Sequence, residues 1–521
     1  VFSVADTVSK ADGGTFDGNV TMGGTLGVTG ATTLTGGVSG NTTFSGEIIT
    51  STSGTSNLRI GENAGDAIAS GGNYNVVLGD EAGTAITTGD NNVAVGYNAL
   101  ATNTTASTNT AVGYQAAYSN QTGVGITAFG ANALYATTAS DNCGIGTDNP
   151  GNYAAALESN TTGRFNTAVA TGALGSNTEG DSNTAVGHSA GASITTADNN
   201  VAIGYLALST DTQGSLSTAV GKSALANQNL TSATNTFNTG IGAGAGEQLT
   251  TGPNNTLIGG VAGDALTTGN QNVAVGAFAL SGGTTYDGNT AIGYNSLLVA
   301  NNTSGADGNN VAVGASSGVA VTTGLRNTII GVSAGASLTT GNDNICIGKG
   351  ADVSANAAAN QITIGQDINA GGNNNFSFGK ASNVVTNDFD SDANWSRSSD
   401  RRKKREIYDQ ELGLAFVNDL RTVNFKWKPS NEFPKEWNDY SEENNMDTDV
   451  VMHGFIAQEV KEAIDKHSSE RDSKFSGWKE GEDGMQHTSR EMFVIPLIKA
   501  VQELSAQVNT LKEEIKELKN G

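Results

Sequence analysis

Between residues 58 and 365, short apolar stretches and polar turns alternate at a fixed period. The core of each unit reads Asn-Thr/Val-Ala-Val/Ile-Gly, as in NNVAVG at 91–96, NTAVG at 109–113 and NNVAIG at 199–204. Gly61, Gly79, Gly96 and Gly113 close the first units, and Ala170 holds that place once. Most spacings are 17 residues, and the longer ones, up to 24, mark insertions. A short fixed period of this kind is the mark of a solenoid, with one β-coil per repeat. Within each core, Val or Ile alternates with Ala and Gly, so one strand face is bulky and the other small. The bulky residues are expected to stack inward, and the small face to let neighbouring shafts approach. The second half of each repeat predicts a turn and a second short strand. Asn and Gly supply the turns, and Asn residues stacked at equivalent positions form side-chain ladders. Eighteen coils at ~4.8 Å each make a shaft of about 85 Å.

The flanks differ. Residues 1–57 read as a Gly-rich β stalk with thinly spread apolar positions such as Phe16, Val20, Leu26 and Phe44. Three chains around one axis bury such positions where one chain cannot. Residues 366–398 lose the period and act as a connector, with Phe376, Phe378, Phe389 and Trp395 placed to cap the last coil. Residues 399–521 return to ordinary, highly charged composition. There, Phe455, Ile456, Val460, Ala463 and Ile464 fall on one side of a helix within 451–467. Residues 429–450 form an exposed polar insertion, and the stretch from Asp472 to Gln486 a loop or hairpin. At the end, Val494, Val501, Val508 and Ile515 occupy heptad position a, and Leu497, Leu504, Leu511 and Leu518 position d. Four heptads predict a parallel coiled coil over 494–519, with Pro496 in its first turn. β-branched a with Leu at d favours two strands, whereas the shaft argues for three.

Composition narrows the function. Gly is 70 of 521 residues and Pro only 5, which fits tight turns between short strands rather than collagen or a Pro-rich linker. Residues 1–390 carry 7 Lys and Arg against 25 Asp and Glu, a net −18, and the remainder a net −6. An acidic shaft argues against nucleic-acid binding. Cys143 and Cys346 are too far apart for a metal motif and are expected to be buried, free and structural. No cofactor or metal is expected. No run is long or apolar enough for membrane insertion, and no secretory leader is visible. The insertions near 147–165, 210–216, 228–238 and 281–304 break the period and are candidate binding loops.

The repeats resemble the head repeats of trimeric autotransporter adhesins, and similar repeats occur in phage tail fibres. The tail resembles the C-terminal intramolecular chaperone domain of phage endosialidases, tail spikes and neck appendages. Three blocks carry that resemblance: Ser399, Asp400, Arg402, Lys404 and Ile407; then Gly413 to Trp427; then HGFIAQEV at 453–460. The final helix adds AVQEL at 500–504. The resemblance implies self-proteolysis between Ser398 and Ser399 after a homotrimer has folded, with Ser399 as nucleophile and Lys404 as base. Asp400 and His453 are possible helpers. A serine hydroxyl needs a base, and a lysine serves when burial lowers its pKa. Residues five apart diverge on a helix and oppose on a strand. The pair must therefore meet in a bent loop or across subunits.

The expected fold is mainly β: a trimeric β-solenoid shaft of about 17-residue coils, then a small α+β chaperone domain ending in a coiled coil. The expected function is that of a structural and adhesive phage tail fibre or appendage protein. Its chaperone tail aligns three repetitive chains, whose register is otherwise weakly specified, and then removes itself. Expected partners are other virion tail proteins at the N-terminal end and a glycan or protein receptor on the host surface. A bacterial surface adhesin is one rival. A capsule-degrading spike is another, although Asp80, Glu81, Glu158 and Glu179 sit at turns or insertions rather than as a catalytic pair.

Overall fold

The computed structural model describes residues 52–149, 153–301, 307–389, 399–435, 437, 440–444, 446, 448–469, 474–481 and 484–520. Nearly all of the expected stalk, together with Trp395 and Ser398, lies outside them. The chain divides into two units, residues 1–397 and 398–521.

In the first unit, each repeat core forms a three-residue strand that pairs in parallel with the equivalent strand of the next coil. Val93, Ala94 and Val95 face Thr110, Ala111 and Val112 in register. The parallel ladder runs from Leu58–Ile60 to Asn375–Lys380, one coil beyond Gly365. That last coil is shorter, with Ile362 opposite Phe376, and an antiparallel hairpin with Asn383–Asp388 closes the stack.

The strand faces are oriented opposite to the expectation. The middle residue is buried, as in Ala94, Ala111, Ala168 and Ala202, and the flanking Val, Ile and Thr face outward, most of them half-buried. The large core residues come instead from the turn after the closing glycine: Leu100, Leu134, Leu174, Leu208 and Leu225 are fully buried. The strand centre and the turn that faces it compensate in size. Where the strand centre is large, the turn carries Gly. Leu257 lies against Gly246 and Gly263, whose added Cβ atoms would come within 2.7 Å of it. Where the centre is Gly240, Leu225 presses to within 2.8 Å of the missing Cβ. Small residues are thus spent inside each coil and are not available between shafts.

The expected second strand per repeat is also missing. Its place is taken by successive turns with left-handed residues, such as Asn98 at φ 58° and Leu100 at φ 52°, which cannot extend into a strand. Coils are joined there by single backbone bonds such as Leu100 N–H to Ala116 O at 3.0 Å. One extra strand pair, Gly214–Ser215 with Thr234–Asn235, forms where two insertions meet.

The asparagine ladder is present and buried. Asn92 donates its backbone N–H to Asn75 Oδ1 at 2.9 Å, and its Nδ2 to Ala106 O at 3.0 Å. The pattern recurs from Asn57 to Asn344 and satisfies polar groups that would be costly to bury unpaired. It breaks at Ile126, where Asn109 Nδ2 has no partner among the described residues. The closing glycines are required twice over. Gly96 has φ 123°, and a Cβ there would stand 2.6 Å from Gly113 O. Ala170 occupies this position with φ 102°.

Cys346 sits at a strand centre, where burial pushes its thiol up to about 12. Cys143 was expected buried, but it begins a strand and faces outward, half-buried.

The second unit is α+β. Helix α1 spans Leu414–Asp419, α2 Ala457–His467 and α3 Val494–Asn520. Strands Val423–Phe425 and Met452–Gly454 pair antiparallel, as do Trp478–Glu480 and Gln486–Thr488, the expected hairpin. Leu412, Phe416, Val460, Ala463, Ile464 and Phe493 form the core. Among the described residues of 429–450, the one regular element is a short 3-10 turn at Ser430–Glu432. Pro496 lies in the first turn of α3, and with Ala500 it is buried. The eight heptad residues from Val494 to Leu518 are 40–83 % exposed, an apolar seam left uncovered by the described residues.

Candidate functional site

The segment after Ser398 is shaped by one local interaction. Asp400 caps a single 3-10 turn, Arg401–Lys403, by accepting the backbone N–H of Arg402 at 2.8 Å. The Arg402 guanidinium closes on the same carboxylate at 3.0 and 2.7 Å. These bonds hold the Asp400 carboxyl below the usual carboxylate range. The turn reverses the chain, and Lys404 leaves it in extended conformation at φ −113°.

As a result Lys404 Nζ lies 2.6 Å from Ser399 Oγ. Two residues that no regular element brings together meet across one bent turn within a single chain. Asp400 does not touch the pair; it builds the turn that joins them. Both members are exposed in the single chain. The geometry allows the amine, when neutral, to take the hydroxyl proton.

His453 stands on the strand Met452–Gly454. Its Nδ1 is 2.5 Å from Asn424 Oδ1 on the paired strand. Its bonded partner is therefore Asn424 rather than Ser399 or Lys404. Sequence reading did not single out Asn424; the register of the strand pair does. It also missed Glu503, whose carboxylate reaches the start of α1.

Three of the four acidic residues weighed for glycan cleavage are engaged in the shaft's own structure. Asp80 accepts Glu62 N–H, Glu81 accepts Asn63 Nδ2, and Glu158 accepts Ala155 N–H. Among the described residues, no group of three or more His, Cys, Asp or Glu side chains is placed to hold a metal ion. No helix among them is long and apolar enough to cross a membrane.

Neither the curated proteins nor the solved structures compared with the chain give a match. A family does match, and its boundary coincides with the Ser–Lys turn. Behind its β-solenoid shaft the chain carries, at residues 399–469, a domain that matches the family described as chaperone of endosialidase.

Proposed function

We propose that this is a phage tail-fibre or appendage protein, whose C-terminal unit assembles three chains and then cuts itself away between Ser398 and Ser399. The observation that carries this reading is the 2.6 Å contact between Lys404 Nζ and Ser399 Oγ at the first residue of the chaperone match. Lys404 takes the Ser399 proton, and Ser399 Oγ attacks the carbonyl carbon of Ser398. The peptide C–N bond breaks, the proton passes to the departing amine of Ser399, and water hydrolyses the resulting ester.

Two surfaces support a trimer. The first is the outward strand stripe, which carries Val, Ile or Thr along the shaft. It replaces the small-residue face as the contact between shafts. The second is the exposed seam of α3. Bringing three tails together covers Ser399 and Lys404, which supplies desolvation and makes the cut follow assembly. Near-identical coils pair one step out of register at little cost, so a clamp at one end sets the alignment. Once the clamp has gone, the shaft is held kinetically. The protein then acts outside the host, on the virion, as an attachment fibre. The test is the intact mass of the purified full chain beside Ser399→Ala. The reading requires two fragments meeting at 398/399 from wild type and one uncut chain from the variant. An uncut wild type overturns it.

A further inference from the structure

The longest break in the repeat, 24 residues from Gly146 to Ala170, delivers an aromatic ring to the shaft surface. Asn149 and Tyr153 exchange backbone hydrogen bonds at 3.0 and 3.2 Å. Behind them Ala155, Ala156 and Leu157 are fully buried. Gly172 N–H donates to Ala154 O at 2.8 Å, and a Cβ on Gly175 would stand 2.9 Å from that of Ala154. The inserted segment is therefore seated on the next coil.

This seating sets the Tyr153 ring edge-on to His188, centroids 4.4 Å apart at 78°, and His188 lies 5.7 Å from Tyr205. His188 and Tyr205 each follow a closing glycine, as does Lys222 one coil later. Tyr153 and Tyr205 are 46 and 49 % exposed. Ser189 Oγ holds His188 Nδ1 at 3.0 Å, and no hydrogen bond among the described residues engages Nε2. Lys222 has no ion pair among the described residues, whereas Arg59 and Arg326 pair with Asp66 and Asp343.

We propose that Tyr153, His188, Tyr205 and Lys222 form a binding strip for a short stretch of glycan bearing a carboxylate. Exposed tyrosine rings offer rigid apolar surface to the C–H faces of pyranose rings, at little cost in side-chain entropy. His188 Nε2 and Lys222 Nζ supply hydrogen bonds to hydroxyl and carboxylate oxygens. The column after the closing glycines carries Tyr97, Tyr114 and Tyr294 at other coils, and Ala131, Ala243, Gly260 and Ala277 elsewhere. Among the described residues, only here do a ring delivered by an insertion and a lysine on the following coil join the column's own rings, and that combination favours a compact anionic ligand over a contact repeated along the chain.

The inference rests on the attachment role proposed above, and its test is read independently of cleavage. Full-length protein is titrated with oligomers of glucuronic acid and of glucose. The glucuronate oligomers are expected to bind more tightly than the glucose oligomers. Tyr153→Ala and Tyr205→Ala are each expected to weaken binding tenfold or more, and Lys222→Ala to remove the preference for the acid. No binding of either oligomer, or unchanged binding by both tyrosine variants, overturns the strip. A loss of oligomer stability in those variants with sugar binding intact also overturns it and assigns the rings to contact between chains. Protein that is cut and trimeric yet binds neither sugar defeats this inference while leaving the assembly reading intact.

Discussion

Leu414 and Glu503 are joined by a hydrogen bond across 89 positions: the Leu414 N–H donates to Glu503 Oε2 at 2.7 Å. The carboxylate thereby caps the start of α1, and Gly413 leaves it room, since a Cβ there would stand 2.4–2.7 Å from its atoms. Glu503 sits between Val501 and Leu504 on the helix that carries the apolar seam. The contact ties α3 to the fold that follows the Ser–Lys turn. Losing such a cap costs about 1–2 kcal/mol. Glu503→Ala is therefore expected to speed hydrogen exchange at residues 414–419 of the full chain by roughly tenfold. Gly413→Ala should do the same by displacing the carboxylate, and Glu513→Ala, on the exposed end of α3, should change nothing there.

Ala170 stands at φ 102°, where equivalent coils have glycine. A side chain in this region costs of order 1–3 kcal/mol. Ala170→Gly is expected to slow hydrogen exchange across the neighbouring coils and raise the shaft's melting temperature. Gly96→Ala is expected to do the reverse, and more severely, because its Cβ also meets the next coil's carbonyl.

Leu257 fills its coil between two glycines that give it room. Leu257→Ala leaves a cavity, at a cost of about 2–5 kcal/mol. Denaturant unfolding followed by exchange at coils 242–276 checks the loss. Full recovery in the triple variant Gly246→Leu, Gly263→Leu, Leu257→Ala is not expected, because Gly246 and Gly263 have φ 61° and 58°.

Asp419 bonds His467 and Lys466 together at the ends of α1 and α2, which holds its carboxyl below the ordinary range. A carboxylate whose folded pKa is lowered adds stability above its unfolded value, about 3.9. That stability is lost as pH falls through the lower folded value. Asp419→Asn should remove this part of the acid limb in a pH titration of tail unfolding.

The two cysteines report on the two strand faces. Cys346, buried at a strand centre, is expected to resist thiol reagents until the shaft unfolds. Cys143, on the outward stripe, should react in isolated chains and be protected in the assembled fibre. Labelling of Cys143 at equal rates in both states would exclude the stripe as the contact between shafts.

The period, the coil and the asparagine ladder were legible because each residue type recurs at one place in the repeat. Orientation was not legible from VAVG alone. Which face points inward depends on what the opposite wall supplies, and the Leu100 and Gly83 positions lie in the half-repeat read as a strand. The left-handed residues there, Asn98 and Leu100, carry no glycine to announce them. In the tail, the Ser399–Lys404 spacing left a bent loop or a contact across subunits, and the structure makes a turn within one chain from Asp400 and Arg402. The bond from Glu503 to Leu414 spans most of the unit, so no local pattern reveals it. The aromatic strip was hidden because its rings come from one insertion and two separate coils.

The central claim is that the Ser–Lys turn is formed within one chain but becomes active only when three chains cover it. Chain mass and oligomeric state, measured together on full-length protein carrying Val501→Lys and Leu504→Lys, test it most directly. The account predicts an uncut monomer beside a cut wild-type trimer. A monomer cut between Ser398 and Ser399 would contradict it.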